Sequence, residues 1–393
     1  MTQGIRPFTD LESRNVTFVK EKIRDCSYLT PTRTGLEKSI MDAIGPLRDF
    51  LKRVGLHDFE IQPQGQAAKV TIPAVILTDS KEIEAKATLY RPETKKGDPR
   101  IWISRLPQEA RAGDLLLLFA HEKRLHVINL TRSRIWEAVE QETGNHATRY
   151  LDRVDYKESG AFQDLIQKLR RMALGDALPQ VGHGDTAIGR TIEDALGIQM
   201  NPDKSPDYKG IELKARRSLK KNRSNLFAQV PDWTISVVKS SRELLEKFGY
   251  ARGLLRKLYV TVRAFTPNAQ GLFLNLDAKA DLLHESATKV IQGNVVTWKM
   301  EKLRARLLEK HKETVWIEAD STLKNGKEHF KLTRLIHTKA PILGQLEPLI
   351  LAGKITLDHL ISSKKGSDKG PLFKIEKDMV NTLFGTSETH VLS

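Results

Sequence analysis

Pro206-Asp207-Tyr208-Lys209-Gly210-Ile211-Glu212-Leu213-Lys214 is the stretch whose reading decides the fold. Ile211, Leu213 and Ala215 alternate with Glu212, Lys214 and Arg216. Successive side chains of a strand point to opposite faces, so the apolar set enters a core while Glu212 and Lys214 share the other face. Pro206 and Gly210 bracket a turn that leaves Asp207 just upstream. Two carboxylates converging on one point make a hard oxygen site suited to magnesium. A lysine beside them steadies a hydroxide or a developing phosphate charge. A Lewis acid, an activated water and charge stabilisation are what metal-assisted phosphodiester hydrolysis requires.

Glu-x-Lys alone is common and describes two solvated strand residues. The preceding segment changes its meaning: Gly184-Asp185-Thr186-Ala187-Ile188-Gly189-Arg190-Thr191-Ile192-Glu193-Asp194-Ala195-Leu196-Gly197, which predicts a helix over 191–196 with Glu193 in its first turn. By itself Glu193 would only complement the helix dipole. A helix carrying an acidic residue, followed by Pro-Asp-x4-Glu-x-Lys, resembles the MvaI/BcnI restriction endonucleases and, more distantly, the MutH mismatch-repair nickase. Both have the PD-(D/E)xK nuclease fold. The resemblance implies an α/β (α+β) domain with a mixed central sheet flanked by helices. It implies Glu193, Asp207, Glu212 and Lys214 as the catalytic set, with Asp207 and Glu212 holding Mg2+, and cleavage leaving 5′-phosphate and 3′-hydroxyl ends.

The likeness extends over most of residues 180–393. Asn225–Trp233 resembles the family's next strand and loop, and Val296–Leu303 and Thr314–Glu328 its later helix and hairpin. Ser367–Ile375 matches the closing recognition segment in outline, but relatives tend to carry His and Arg where this chain has Lys369 and Lys374. A short target beginning C-C and ending G-G is the corresponding expectation. The implied activity is a type II restriction endonuclease of a restriction-modification system, acting on double-stranded DNA. The alternatives are a MutH-like nickase and a DNA-binding protein that does not cleave.

Charge points the same way. The 393 residues carry 64 Lys+Arg against 49 Asp+Glu, a surplus of +15 that invites a polyanionic partner. Residues 1–175 hold 29 basic and 24 acidic side chains, and residues 176–393 hold 35 and 25, so the second half carries the larger surplus. Arg216, Arg217 and Lys220 flank the proposed catalytic strand, and Lys364, Lys365, Lys369 and Lys374 cluster near the end. These seven are the expected DNA contacts, most of them to phosphate, where they position a duplex without specifying its sequence. The histidines from His183 onward show no paired spacing of a zinc ligand set.

The Gly- and Pro-rich stretch 175–189 suggests a boundary, giving an accessory domain over 1–175 and a nuclease domain over 176–393. Leu36, Ile40, Ile44, Leu47 and Leu51 recur at helical spacing, and short apolar runs between 70 and 130 predict a β-rich core. Such a layout resembles restriction enzymes with an N-terminal pseudobarrel that binds a second copy of the target DNA, and Arg91, Lys95, Lys96, Arg100 and Arg105 are placed to contact it. A scaffold or dimerisation domain is the other reading. The nuclease domain is expected to act as a monomer. One cysteine, Cys26, excludes an internal disulfide, and no apolar run approaches the ~20 residues of a membrane span. A cytoplasmic protein of a prokaryotic cell is expected.

Overall fold

A computed structural model describes residues 6–23, 25–94, 97–154, 160–198, 206–219, 223–364, 370–385 and 387–392. The chain divides into two compact units, the first formed by residues 1–157 and 342–348 and the second by 158–341 and 349–393. The second unit therefore begins earlier than the Gly/Pro-rich stretch suggests. The reason is the helix Ala161–Leu174, whose Phe162, Leu165, Ile166 and Leu169 join the apolar core of the second unit.

The first unit is built on seven strands: β1 (Cys26–Leu29), β2 (Met41–Asp42), β3 (Val70–Leu77), β4 (Glu82–Tyr90), β5 (Arg100–Ile103), β6 (Leu116–His121) and β7 (Arg124–Asn129). They form one mixed sheet in the order β1-β6-β7-β3-β4-β5-β2, with β3 and β7 parallel. The apolar run Leu115–Phe119 is wholly buried because both sheet faces are covered. Leu116 and Leu118 face the cluster holding Leu47, Phe50 and Leu51, whereas Leu115, Leu117 and Phe119 face the one holding Val16, Val19 and Ile135. The single helix expected over 36–51 is two helices, Arg33–Glu37 and Gly45–Arg53, separated by β2. Pro46 explains the break: lacking an N–H, it is accepted only in the first helical turn, where it is found. Arg91 is engaged internally, donating to the carbonyls of Gly97 and Gln62 at 3.0 and 3.2 Å, and Lys95 and Lys96 lie outside the described residues.

The described residues of the second unit form three sheets. Their strands are β8 (Leu178–Pro179), β9 (Glu212–Arg217), β10 (Ser224–Ala228), β11 (Tyr250–Arg252), β12 (Leu255–Val262), β13 (Leu272–Asp277), β14 (Leu282–Ala287), β15 (Gly293–Lys299), β16 (Glu313–Lys324), β17 (Lys327–Lys339), β18 (Ile355–Ser362), β19 (Leu372–Ile375) and β20 (Glu388–Val391). One sheet runs β20-β17-β16-β9, a second β10-β19-β18-β12-β11, and the third β13-β14-β15. The pair β9–β16 is parallel, with Glu212 opposite Thr314, Lys214 opposite Trp316 and Arg216 opposite Glu318. Ile211 and Leu213 enter the core with Ile188, Ile192, Val315 and Ile317, which fixes the register of the strand. This is the mixed sheet with flanking helices expected of the second half. Among the described residues no helix is long and apolar enough to cross a membrane.

Ile317 is fully buried beneath the site strand. Ile317→Ala is expected to destabilise the protein by about 3 kcal/mol through poorer packing and a residual cavity. Urea unfolding followed by tryptophan fluorescence checks it, since Trp316 is the adjacent residue.

Candidate active site

Three elements bring the acidic and basic side chains together. Glu212 and Lys214 occupy one face of β9, as their spacing predicts. Asp207 sits in the preceding turn, where Lys209 and Gly210 both adopt positive φ, 46° and 92°. The turn closes through reciprocal backbone hydrogen bonds between Tyr208 and Ile211, at 2.9 and 2.8 Å. Asp207 Oδ2 accepts from the N–H of Leu213 at 2.9 Å, which holds its carboxylate against the start of the strand. Glu193 comes from the helix Ala187–Ala195, one turn of which pairs it with Arg190 at 3.5 Å. Arg217 ties the segment before that helix to β9 by donating to the Gly184 carbonyl at 3.3 Å.

Glu212 is 2% exposed, and each of its oxygens meets a lysine. Lys214 donates to Oε1, and Lys310, the last residue of the helix Met300–Lys310, lies 3.3 Å from Oε2. A carboxylate removed from water costs several kcal/mol unless it is paired and hydrogen-bonded. Two ammonium groups meet that need. The neighbouring His311 anchors the helix end: its ring hydrogen-bonds the Thr314 hydroxyl and the Leu226 carbonyl, both at 2.9 Å, and stacks on Trp316. Burial holds the His311 pKa down at about 3, so the ring is neutral and one nitrogen accepts while the other donates.

The other two carboxylates are held above their ordinary range. For Asp207 the cause is burial, then the charge of Glu212, opposed by the Leu213 N–H and by Lys214 and Lys310. For Glu193 it is burial, then the charge of Asp207, opposed by Arg190 and Lys214. Asp207 is thus near enough to Glu212, and Glu193 to Asp207, for each neighbouring charge to oppose ionisation. Among the described residues no group of three or more His, Cys, Asp or Glu is placed to hold a metal ion. The arrangement offers a carboxylate pair with a lysine beside it.

The expected DNA contacts divide. Arg216 follows Lys214 on the same strand face and pairs with Glu318 at 2.6 Å. Arg217 points the other way, is buried, pairs with Glu328 and lies over the Phe330 ring. That makes Arg217 a brace of the fold. Lys374 holds Asp358 at 2.9 Å, and Lys364 is exposed. Lys220, Lys365 and Lys369 lie outside the described residues. His183 is exposed ahead of the acidic helix. Lys310 and His311 were not legible in the sequence, because nothing in their spacing relates them to Glu212, 98 residues earlier than Lys310.

Comparison with known proteins bears on family and fold. The sequence model of the MvaI/BcnI restriction endonuclease family matches residues 166–384. Among solved structures, the restriction endonuclease MvaI in complex with cognate DNA is 22% identical, with a TM-score of 0.52, covering 60% of this chain and 100% of that one. MvaI in the absence of DNA is also 22% identical, over 61% of this chain and 100% of that chain, with a TM-score of 0.36. No curated protein matches.

A carboxyl whose folded pKa is raised favours folding below its unfolded value and loses that contribution as pH rises through the folded value. Ionised Asp207 is thus a cost at neutral pH. Asp207→Asn is expected to raise the melting temperature at pH 7 without divalent metal, and the difference is expected to vanish below the ordinary carboxylate range. Scanning calorimetry from pH 3 to 8 in chelator measures both.

Proposed function

Because the chain belongs to the MvaI/BcnI restriction endonuclease family, we propose that it is a Mg2+-dependent, sequence-specific type II endonuclease that hydrolyses phosphodiester bonds of double-stranded DNA. The carrying observation is Glu212, a buried carboxylate sharing one strand face with Lys214 and one site with Asp207 and Glu193. Asp207 and Glu212 fit a hard divalent cation, because Mg2+ takes one or two carboxylates and fills its remaining positions with water and phosphate oxygens. The bound ion would supply Lewis acidity toward the scissile phosphate and its attacking water.

The protein's own groups do the rest. Lys214, beside Glu212 on the same strand face, would orient the attacking water and offset charge on the phosphate. Lys310 keeps the second Glu212 oxygen in place from the helix end. Glu193, with its raised affinity for a proton, is suited to accept one from the water network. The N-terminal unit is proposed as an accessory domain that engages a second DNA copy.

Lys214→Ala and Glu212→Gln are each expected to reduce plasmid cleavage at least about a hundredfold, while duplex binding in chelator persists. Digestion of a plasmid library with Mg2+ and end sequencing reads the target and the cut. Linear product supports a restriction enzyme, and arrest at open circles indicates a nickase. Wild-type cleavage by either variant would overturn the residue assignments. Mg2+ should also raise the melting temperature of the wild type but not of Asp207→Asn.

A further inference from the structure

The second unit contains a cavity of about 950 Å³ whose lining includes Arg216, Arg223, Arg263, Arg334, Lys374 and Lys377. Two carboxylates beneath it organise five of these six cations. Glu318, 3% exposed, takes Arg216 at 2.6 Å, Lys377 at 2.9 Å and Arg334. Asp358, 7% exposed, takes Arg223 at 3.0 Å and Lys374 at 2.9 Å. Arg223 is fixed further by the hydroxyls of Thr356 and Thr261.

This is more positive charge than structure needs. One cation neutralises a buried carboxylate, and crowding a second and third around it costs free energy through mutual repulsion. Glu376 and Asp378 also line the cavity, so four carboxylates stand against six cations and leave a surplus of two. Lys354, which holds Glu376 at 2.7 Å, adds to that surplus. Arg216 keeps one buried donor, Nη1, without a hydrogen-bond partner, so its pairing with Glu318 leaves the guanidinium incompletely satisfied. Among the described residues, apolar lining is confined to Ile336 and Val380, with no aromatic ring.

Position narrows the ligand. Arg216 lies two residues beyond Lys214 on one strand face, a step of about 7 Å, comparable to the separation of successive phosphates along one DNA strand. We propose that the cavity is a binding site for two successive backbone phosphates of the cleaved strand, adjoining the scissile one and held without metal. Two phosphodiesters carry two negative charges, within a surplus that Lys354 brings to three, whereas a nucleoside triphosphate would exceed it. The proposal rests on the nuclease reading and deepens it. Glu318 and Asp358 then act as positioning residues that hold the cations ready and spare the DNA the cost of ordering them.

The test uses duplexes containing a cut site recovered from the plasmid library, each with one neutral methylphosphonate, titrated in chelator against the full-length protein. Wild type is expected to lose about tenfold in affinity at each of two successive positions beside the cut. In the double variant Arg263→Gln, Lys377→Gln the same replacements should cost little, and the slope of log affinity against log salt should fall by about 0.9 for each phosphate no longer neutralised. An unchanged melting temperature of the variant confirms folding, and the charge-conserving double variant Arg263→Lys, Lys377→Arg should keep the wild-type profile. A methylphosphonate profile identical in wild type and variant would overturn the proposal while leaving cleavage intact. Saturable binding of inorganic triphosphate, abolished in the variant with the DNA profile unchanged, would assign the cavity to a free polyphosphate and also overturn it. Failure of the nuclease reading looks different, since no duplex would then be cut in Mg2+.

Discussion

The buried carboxylate of Glu212 is the constraint around which the second unit is arranged. A charge taken from water must be met on every side, and here it is met by Lys214 from its own strand and Lys310 from a helix end. The helix end in turn requires His311, neutral and hydrogen-bonded on both nitrogens, and the parallel pairing that sets Thr314 opposite Glu212. The resting site is therefore a set of ion pairs already assembled.

Much of this was legible in the sequence for a local reason. Alternation along Ile211–Arg216 reports the two faces of one strand, and the turn before it has its own signature in Pro206 and Gly210. The helix with Glu193 and the strand Val70–Leu77 are local in the same sense. What escaped depends on partners distant in the chain. Arg216 and Arg217 are neighbours in one basic run, yet Arg217 turns to Glu328, 111 residues away, while Arg216 stays on the face of Lys214 and pairs with Glu318, 102 residues away. Periodicity also failed between Leu36 and Leu51, where apolar spacing suited one helix and a single proline divided it.

The charge surplus takes a more exact meaning from the structure. Net charge alone describes a long-range field that draws a polyanion from any direction. In the second unit much of that charge is fixed on buried carboxylates, which convert mobile side chains into an ordered set of donors. Such sites lose less entropy on binding than solvated lysines do. Where Arg217 braces the fold instead, the same residue type in the same run has a different role, set by the face of the strand it occupies.

The division of the chain carries a consequence for the order in which the protein can assemble. Residues 342–348 belong to the first unit, and Ile342 lies in its core with Val16, Val19 and Leu117. The region matching the family model, 166–384, therefore contains a segment that folds as part of a different body. The first unit is therefore written at two separated places in the sequence. Its core around Ile342 can close only after that residue has been made, when most of the second unit already precedes it in the chain.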